Sequence, residues 1–199
     1  MVDIVSTLIL VLDFVLSIWN SYSAGLSYGM LKKNGGPGWA YISTILGLSL
    51  GIAGSVYVTA IVLGYAGYAL GYVDAGTVDL LFAYNYLVTG ALITALGIGA
   101  TIQSIYIAAK HPGFWTVGQA LYNTFASIWN VFAYMSDFGP LESIINYERQ
   151  NDRQSDLVVL IILIIIAVLL GVLLSLIAFN AGRNHGEGRY LRSMRSDYG

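Results

Sequence analysis

The chain has 199 residues, of which 57% are hydrophobic and only 10% charged, against roughly 25% charged in a typical globular protein. Its formal net charge of −2 leaves no polybasic surface for nucleic acid, and the lack of cysteine excludes disulfides, thiol chemistry, iron–sulfur ligation and Cys-type zinc sites. Such a chain reads as an all-α integral membrane protein, multi-pass, expected in the plasma membrane with little material outside the bilayer.

A helix needs about 20 apolar residues to cross the hydrocarbon core. The first such stretch runs from Ile4 to about Leu31, broken by Asp13, and stops at Lys32, Lys33 and the turn Asn34-Gly35-Gly36-Pro37-Gly38. The second runs from Trp39 to Tyr72 and closes at Val73-Asp74-Ala75-Gly76. A third extends from Asp79 to Ala109 and ends at Lys110-His111-Pro112-Gly113. Phe114 to Met135 is long enough, but Gln119, Asn123, Thr124, Ser127 and Asn130 dilute it. It fits either an interfacial amphipathic helix or a span packed inside a bundle. The last stretch, Leu157 to about Asn180, carries no charge and is apolar all round; residues 181–199 form a basic tail. Asp3 stands where a signal peptide would be basic, so the first span is expected to stay in the mature chain.

Basic residues decide between four spans and five, because cytoplasmic loops are enriched in Lys and Arg. With five spans and the N-terminus outside, Lys32, Lys33, Lys110, Arg183, Arg189, Arg192 and Arg195 all fall inside. Only Glu187 and Asp197 oppose them there, while Asp3, Asp74, Asp79, Asp137, Glu142, Glu148, Asp152 and Asp156 fall outside, with only Arg149 and Arg153 among them. With four spans the Arg-bearing tail lands outside. The expectation is therefore a five-helix transmembrane bundle, N-out and C-in, as a single polytopic domain.

Membrane helices associate through small residues and polar groups, since lipid is as apolar as leucine. Ser43, Gly47, Gly51 and Gly54 share a face of the second span, and Ala167, Gly171, Ser175, Ala178 and Gly182 form a stripe on the last. Asp79, Tyr86, Gly90, Gly97, Thr101 and Ser104 fall in a narrow arc of the third. These are read as helix-packing faces. They exceed what one bundle needs to bury, so some are expected to face outward, toward a second copy or other membrane subunits. Tyr65, Tyr68 and Tyr72 read as an interfacial aromatic belt, with a ligand vestibule as the alternative; Trp39 and Trp115 mark the other boundary.

Ser17-Ile18-Trp19-Asn20 recurs as Ser127-Ile128-Trp129-Asn130, and at the same offset Asp13 aligns with Asn123, Gly29 with Gly139 and Leu31 with Leu141. In the five-span topology the two helices are inverted relative to each other, as in transporters whose site lies where inverted repeats meet. Asp13, Ser17 and Asn20 share a helix face, as do Asn123, Ser127 and Asn130. The two faces are expected to meet and satisfy each other's hydrogen bonds, because lipid accepts none.

Asp13 lies about ten residues into the first span, roughly 15 Å deep. No Lys, Arg or His lies within a predicted span to pair with it. It is therefore protonated, hydrogen-bonded to neutral partners such as Asn123 or Tyr86, or compensated by a bound cation. The first two cases make it interhelical glue; the third makes Asp13, Ser17, Asn20, Asn123, Ser127 and Asn130 an ion or proton site.

His111 and His185 lie in predicted cytoplasmic segments, which leaves no bis-His haem site within the bundle. The chain carries no zincin, nucleophile-elbow, Walker or Rossmann pattern. The acidic run from Asp137 to Asp156 lacks calcium-loop spacing and reads as a solvated outer turn. No cofactor and no metal is expected, and no catalytic constellation appears. The leading expectation is a non-enzymatic structural or assembly subunit of a larger membrane complex or homo-oligomer. The alternative is a small proton or cation channel, transporter or translocation-pore subunit that uses Asp13.

Overall fold

A computed structural model of the chain describes the backbone of residues 4–150 and 154–196 and the side chains of residues 7–147 and 158–188. Among the described residues there are five helices and no strand: α1 (Ile4–Asn34), α2 (Gly38–Ala69), α3 (Ala75–Lys110), α4 (Phe114–Gln150) and α5 (Gln154–Ser196). Of these, α1, α2, α3 and α5 are long and apolar enough to cross a membrane.

Local chemistry explains where the helices start and stop. Pro37, with φ at −66°, precedes α2, its fixed φ suited to entering a helix. At the far end of α2, Gly71 takes a positive φ of 73°, and the Tyr72 N–H donates back to the Gly67 carbonyl at 2.9 Å. The Asp74 carboxylate then accepts from the Thr77 N–H at 2.7 Å. That N-cap starts α3 at Ala75, a turn earlier than the apolar pattern alone predicts at Asp79. Within α3, Tyr86–Gly90 form a π-helical turn. α4 does not end at Met135 but runs through Pro140, where the Ser143 hydroxyl donates to the Pro140 carbonyl at 2.7 Å.

The tightest contact in the bundle is between α1 and α5, which run parallel. Each carries a glycine pair four residues apart, Gly25/Gly29 and Gly182/Gly186. A Cβ at Gly25 would sit 2.7 Å from the Phe179 carbonyl carbon, and one at Gly182 would sit 2.9 Å from the Leu26 nitrogen. Only glycine permits backbones this close. Beyond the glycines, the Tyr22 hydroxyl meets His185 Nδ1 at 2.7 Å and Lys32 Nζ meets Glu187 Oε1 at 3.3 Å. The helix expected to end near residue 180 therefore stays packed on α1 through Glu187, because Gly182 and Gly186 serve the interface instead of breaking the helix.

α2 lies against both partners. Gly47, Gly51 and Gly54 face Ala24, Ser21 and Ser17 of α1. On the other side a Cβ at Gly171 would sit 2.7 Å from the Val56 Cα, and the Ser175 hydroxyl donates to that of Ser55 at 3.0 Å. Ala60, Leu81, Leu160 and Ala167 form the apolar core beside these contacts, toward the N-terminal end of α1. The expectation that some small-residue stripes face outward is thus overturned: Gly51, Gly54, Ala167, Gly171 and Ser175 are all buried within one chain. Their surplus over a loosely packed bundle is consumed because three helix backbones converge. The outward faces are aliphatic instead, with Ile161, Ile165, Leu169, Leu173 and Leu176 exposed along α5.

α3 packs on α2, and the backbone of α4 approaches that of α3 alone. Gly90 and Gly97 of α3 face Tyr134 and Ser127 of α4. Alanine at Gly25 or Gly182 should destabilise the protein by about 1–3 kcal/mol through overpacking, despite its better helix propensity. Gly118→Ala, with open space around its Cβ, should stabilise by up to about 1 kcal/mol. Equilibrium unfolding in mixed detergent micelles measures both, and the opposite signs are the diagnostic.

Candidate functional site

α1 and α4 are antiparallel and stand apart, and the space between them is a groove walled by α2 and α3. Three cavities fill it, of about 420, 420 and 290 Å³. The upper one, at the N-terminal end of α1, shares Asp13, Tyr57 and Tyr86 with the middle one. The middle one shares Asn20, Leu50, Ala100, Gln119 and Asn123 with the lower. Joined in this way, they follow α1 from Ile9 to Ser27. At 1.5 Å per residue that is about 27 Å, close to the roughly 30 Å of a hydrocarbon core.

All six residues singled out by the repeat line the middle cavity: Asp13, Ser17 and Asn20 on one wall, Asn123, Ser127 and Asn130 on the other. They face each other but do not bond. The expected direct pairing of the two faces is replaced by bonds within each wall. The Ser17 hydroxyl donates to the Asp13 carbonyl at 2.6 Å. Ser127 and Thr101 hydroxyls are 2.8 Å apart, the Thr101 hydroxyl donates to the Asn123 carbonyl at 2.8 Å, and Asn123 accepts from Gln119 Nε2 at 3.2 Å. α4 has spent its polar face on α3, so α1 is left looking across open space. Nor does Asp13 bond to Asn123 or Tyr86. Tyr86 donates instead to Asp137 Oδ2 at 2.9 Å, and among the described residues no donor meets the Asp13 carboxylate.

The π turn builds the centre of the site. Such turns carry one residue more than the α-helix they interrupt and occur often at functional positions. Here the turn is held from three sides. Asn85 Nδ2 donates to the Tyr57 carbonyl at 3.0 Å, the Thr89 hydroxyl donates to the Asn85 carbonyl, and the Tyr134 hydroxyl donates to the Leu87 carbonyl at 3.1 Å. The rings of Tyr57 and Tyr86 lie 6.2 Å apart edge to face, and Tyr134 stacks on Tyr86 at 6.2 Å. At the lower end Gln103 Nε2 donates to the Trp39 carbonyl and, at 3.2 Å, to the Ser43 hydroxyl.

Four of these residues lie outside the predicted set: Tyr57, Tyr134, Asp137 and Gln103. Tyr134 and Asp137 had a usable signal. Asn123, Ser127, Asn130, Tyr134 and Asp137 continue one helix face with alternating steps of four and three. The series is hidden when the helix is ended at Met135. Tyr65, exposed like Tyr68 and Tyr72, also packs on Phe82 at 4.9 Å and lines the upper cavity.

The electrostatics are one-sided. The described residues lining the three cavities include two carboxylates, Asp13 and Asp137, and no Lys, Arg or His. Among the described residues no group of three His, Asp or Glu converges on a point where a metal ion would be held.

The fold and the groove together define a helical-bundle membrane protein with an open groove lined by two carboxylates. No protein-family model, curated protein or solved structure matches this chain.

Tyr134→Phe should cost about 0.5–1.5 kcal/mol, the worth of one hydrogen bond. It should speed amide exchange across Tyr86–Gly90 while leaving exchange at the α1–α5 contact unchanged. Hydrogen–deuterium exchange on the purified protein reads both effects.

Proposed function

We propose that the protein is a non-enzymatic, five-span membrane protein that passes protons or small cations along the groove between α1 and α4, with Asp13 as the exchangeable carboxylate. The observation that carries this reading is the end-to-end run of cavities whose described lining residues include hydroxyls, amides and two carboxylates but no Lys, Arg or His. A carboxylate in a low-dielectric span is rare and usually faces a pathway. Among the described residues no donor meets the Asp13 carboxylate, so its charge is compensated by whatever cation or proton arrives. Hydroxyl and amide groups of Ser17, Asn20, Ser27 and Asn130 stand in for water along the middle and lower cavities.

Five spans follow if α4 crosses as well. In support, its segment from Asn123 to Asp137 lies antiparallel beside α3, one of the four apolar helices. Its far face exposes Leu121, Phe125, Ile128, Trp129, Phe132 and Met135, which suits lipid. Its overall hydropathy is lowered only by the polar face it turns to α3 and the groove. The antiparallel facing of α1 and α4 also fits an inverted repeat. The positions of Lys32, Lys33, Lys110 and Arg183 support N-out and C-in.

The groove's open side favours a second reading. α1 and α4 make no backbone approach, so a neighbouring membrane subunit or a second copy could close the gap, making the chain a structural subunit of a complex or homo-oligomer. Native mass measurement after mild extraction would then show a stable larger particle.

In proteoliposomes the wild-type protein should dissipate an imposed proton or sodium gradient, and Asp13→Asn should reduce the flux at least tenfold with the fold intact. A flux unchanged by the substitution refutes the role of Asp13. For the span count, the cysteine-free chain allows single cysteines at His111 and Ser143. They should react with a membrane-impermeant maleimide from opposite sides; labelling from one side means that α4 does not cross.

A further inference from the structure

We propose that the upper cavity is a binding site for a primary alkylammonium ion, an amine with a compact apolar body. This deepens the cation-path reading by naming the class of cation, and it rests on that reading for the role of the groove but not for the cavity itself. The cavity joins two kinds of wall. Asp13 brings a carboxylate that no donor among the described residues meets, and Asp137 brings a second whose Oδ2 accepts from Tyr86. Around them stand four aromatic rings, Tyr57, Tyr65, Phe82 and Tyr86, with Tyr65 and Phe82 packed edge to face at 4.9 Å.

That combination suits an ammonium head better than a metal ion. An ammonium group has three N–H donors for carboxylate and hydroxyl oxygens, and its charge is attracted to aromatic faces. A hard metal cation instead requires about six oxygen ligands in a shell, and rings cannot supply them. The remaining wall is aliphatic, from Ile9, Leu10, Ile61 and Leu141. It offers burial to an alkyl chain. At about 420 Å³ the space falls within the range of small-molecule sites. Because the groove is unclosed between α1 and α4, the amine has two sources. It is a soluble alkylamine or the ethanolamine headgroup of a lipid.

The test is calorimetric titration of the purified full-length protein, in detergent without amines, with n-butylammonium, uncharged n-butanol and sodium as probes. The proposal expects n-butylammonium to bind at least tenfold more tightly than n-butanol and not to be displaced by equimolar sodium. Asp13→Asn should weaken that binding at least fivefold. Asp137→Asn should do the same and guards against misfolding, since Asp137 sits on an exposed part of α4. Asp79→Asn, an exposed carboxylate outside the cavities, should leave it unchanged. Equal binding of n-butanol, full displacement by sodium, or unchanged affinity in both groove variants would overturn the proposal. In nanodiscs, weaker apparent affinity with phosphatidylethanolamine than with phosphatidylglycerol alone identifies the headgroup as the occupant, and equal affinity identifies a soluble amine; both support the site. Binding without Asp13-dependent flux would remove the conduit and keep the site. Flux without binding would remove the site and keep the conduit.

Discussion

Gly25 and Gly29 of α1 lie on the backbone of α5, and Gly182 and Gly186 of α5 lie on that of α1, so the two helices meet with no side chains between them. In a bilayer, where lipid competes on equal terms for apolar contact, such close approach is among the few ways to hold helices together. The rest of the bundle follows from it. With α1 fixed to α5 on one side and seated on Gly47, Gly51 and Gly54 of α2 on another, one edge of α1 stays uncovered. That edge carries Asp13 and Asn20. α4 cannot reach it, because hydrogen bonds from Tyr134 and Thr101 and to Asp137 hold it on α3. The groove is thus a by-product of two strong interfaces that leave a gap between them.

A gap between membrane helices is normally filled by side chains or lipid. Here the walls are hydroxyls, amides, phenols and two carboxylates, groups that lipid tails cannot satisfy. Each wall bonds partly to itself, as Ser17 does to the Asp13 carbonyl and Ser127 to Thr101. What is left over is acidic and aromatic, concentrated where α1, α2 and the π turn come level. Two carboxylates and, among the described lining residues, no Lys, Arg or His give that space an acidic character.

Much of this architecture is legible in the residues alone. The four apolar spans stand out by length, and the small-residue faces of α2 and α5 do pack helices. The alignment of Asp13, Ser17 and Asn20 with Asn123, Ser127 and Asn130 selects the residues that line one cavity. Less legible is which partner each face takes. A stripe such as Gly51 and Gly54 looks the same whether it meets α1 or another chain, and Gly25 and Gly29 of α1 and Gly186 of α5 are hidden among polar neighbours. Charge misleads at helix ends: Asp137 and Glu187 look like solvated loop residues, yet one caps a groove and the other pairs with Lys32 on a packed helix. The π turn has no signature in residue type, so the angular drawing of α3 runs through Tyr86–Gly90 as though the helix were regular.

That turn also means that the face α3 presents is set by counting. An α-helix advances about 100° per residue, and the extra residue held between Tyr86 and Gly90 offsets everything after it by about that angle. Gly97 and Thr101 meet Ser127 and Asn123 because of this offset, whereas Val78 and Leu81, before it, stay buried in the bundle. Shortening the turn by one residue would swing the lower half of α3 away from α4 without altering a single side chain that touches it. The groove's width is therefore encoded in the spacing of the chain and not only in its composition, and an insertion or deletion there would act as a change of shape where a substitution would act as a change of chemistry.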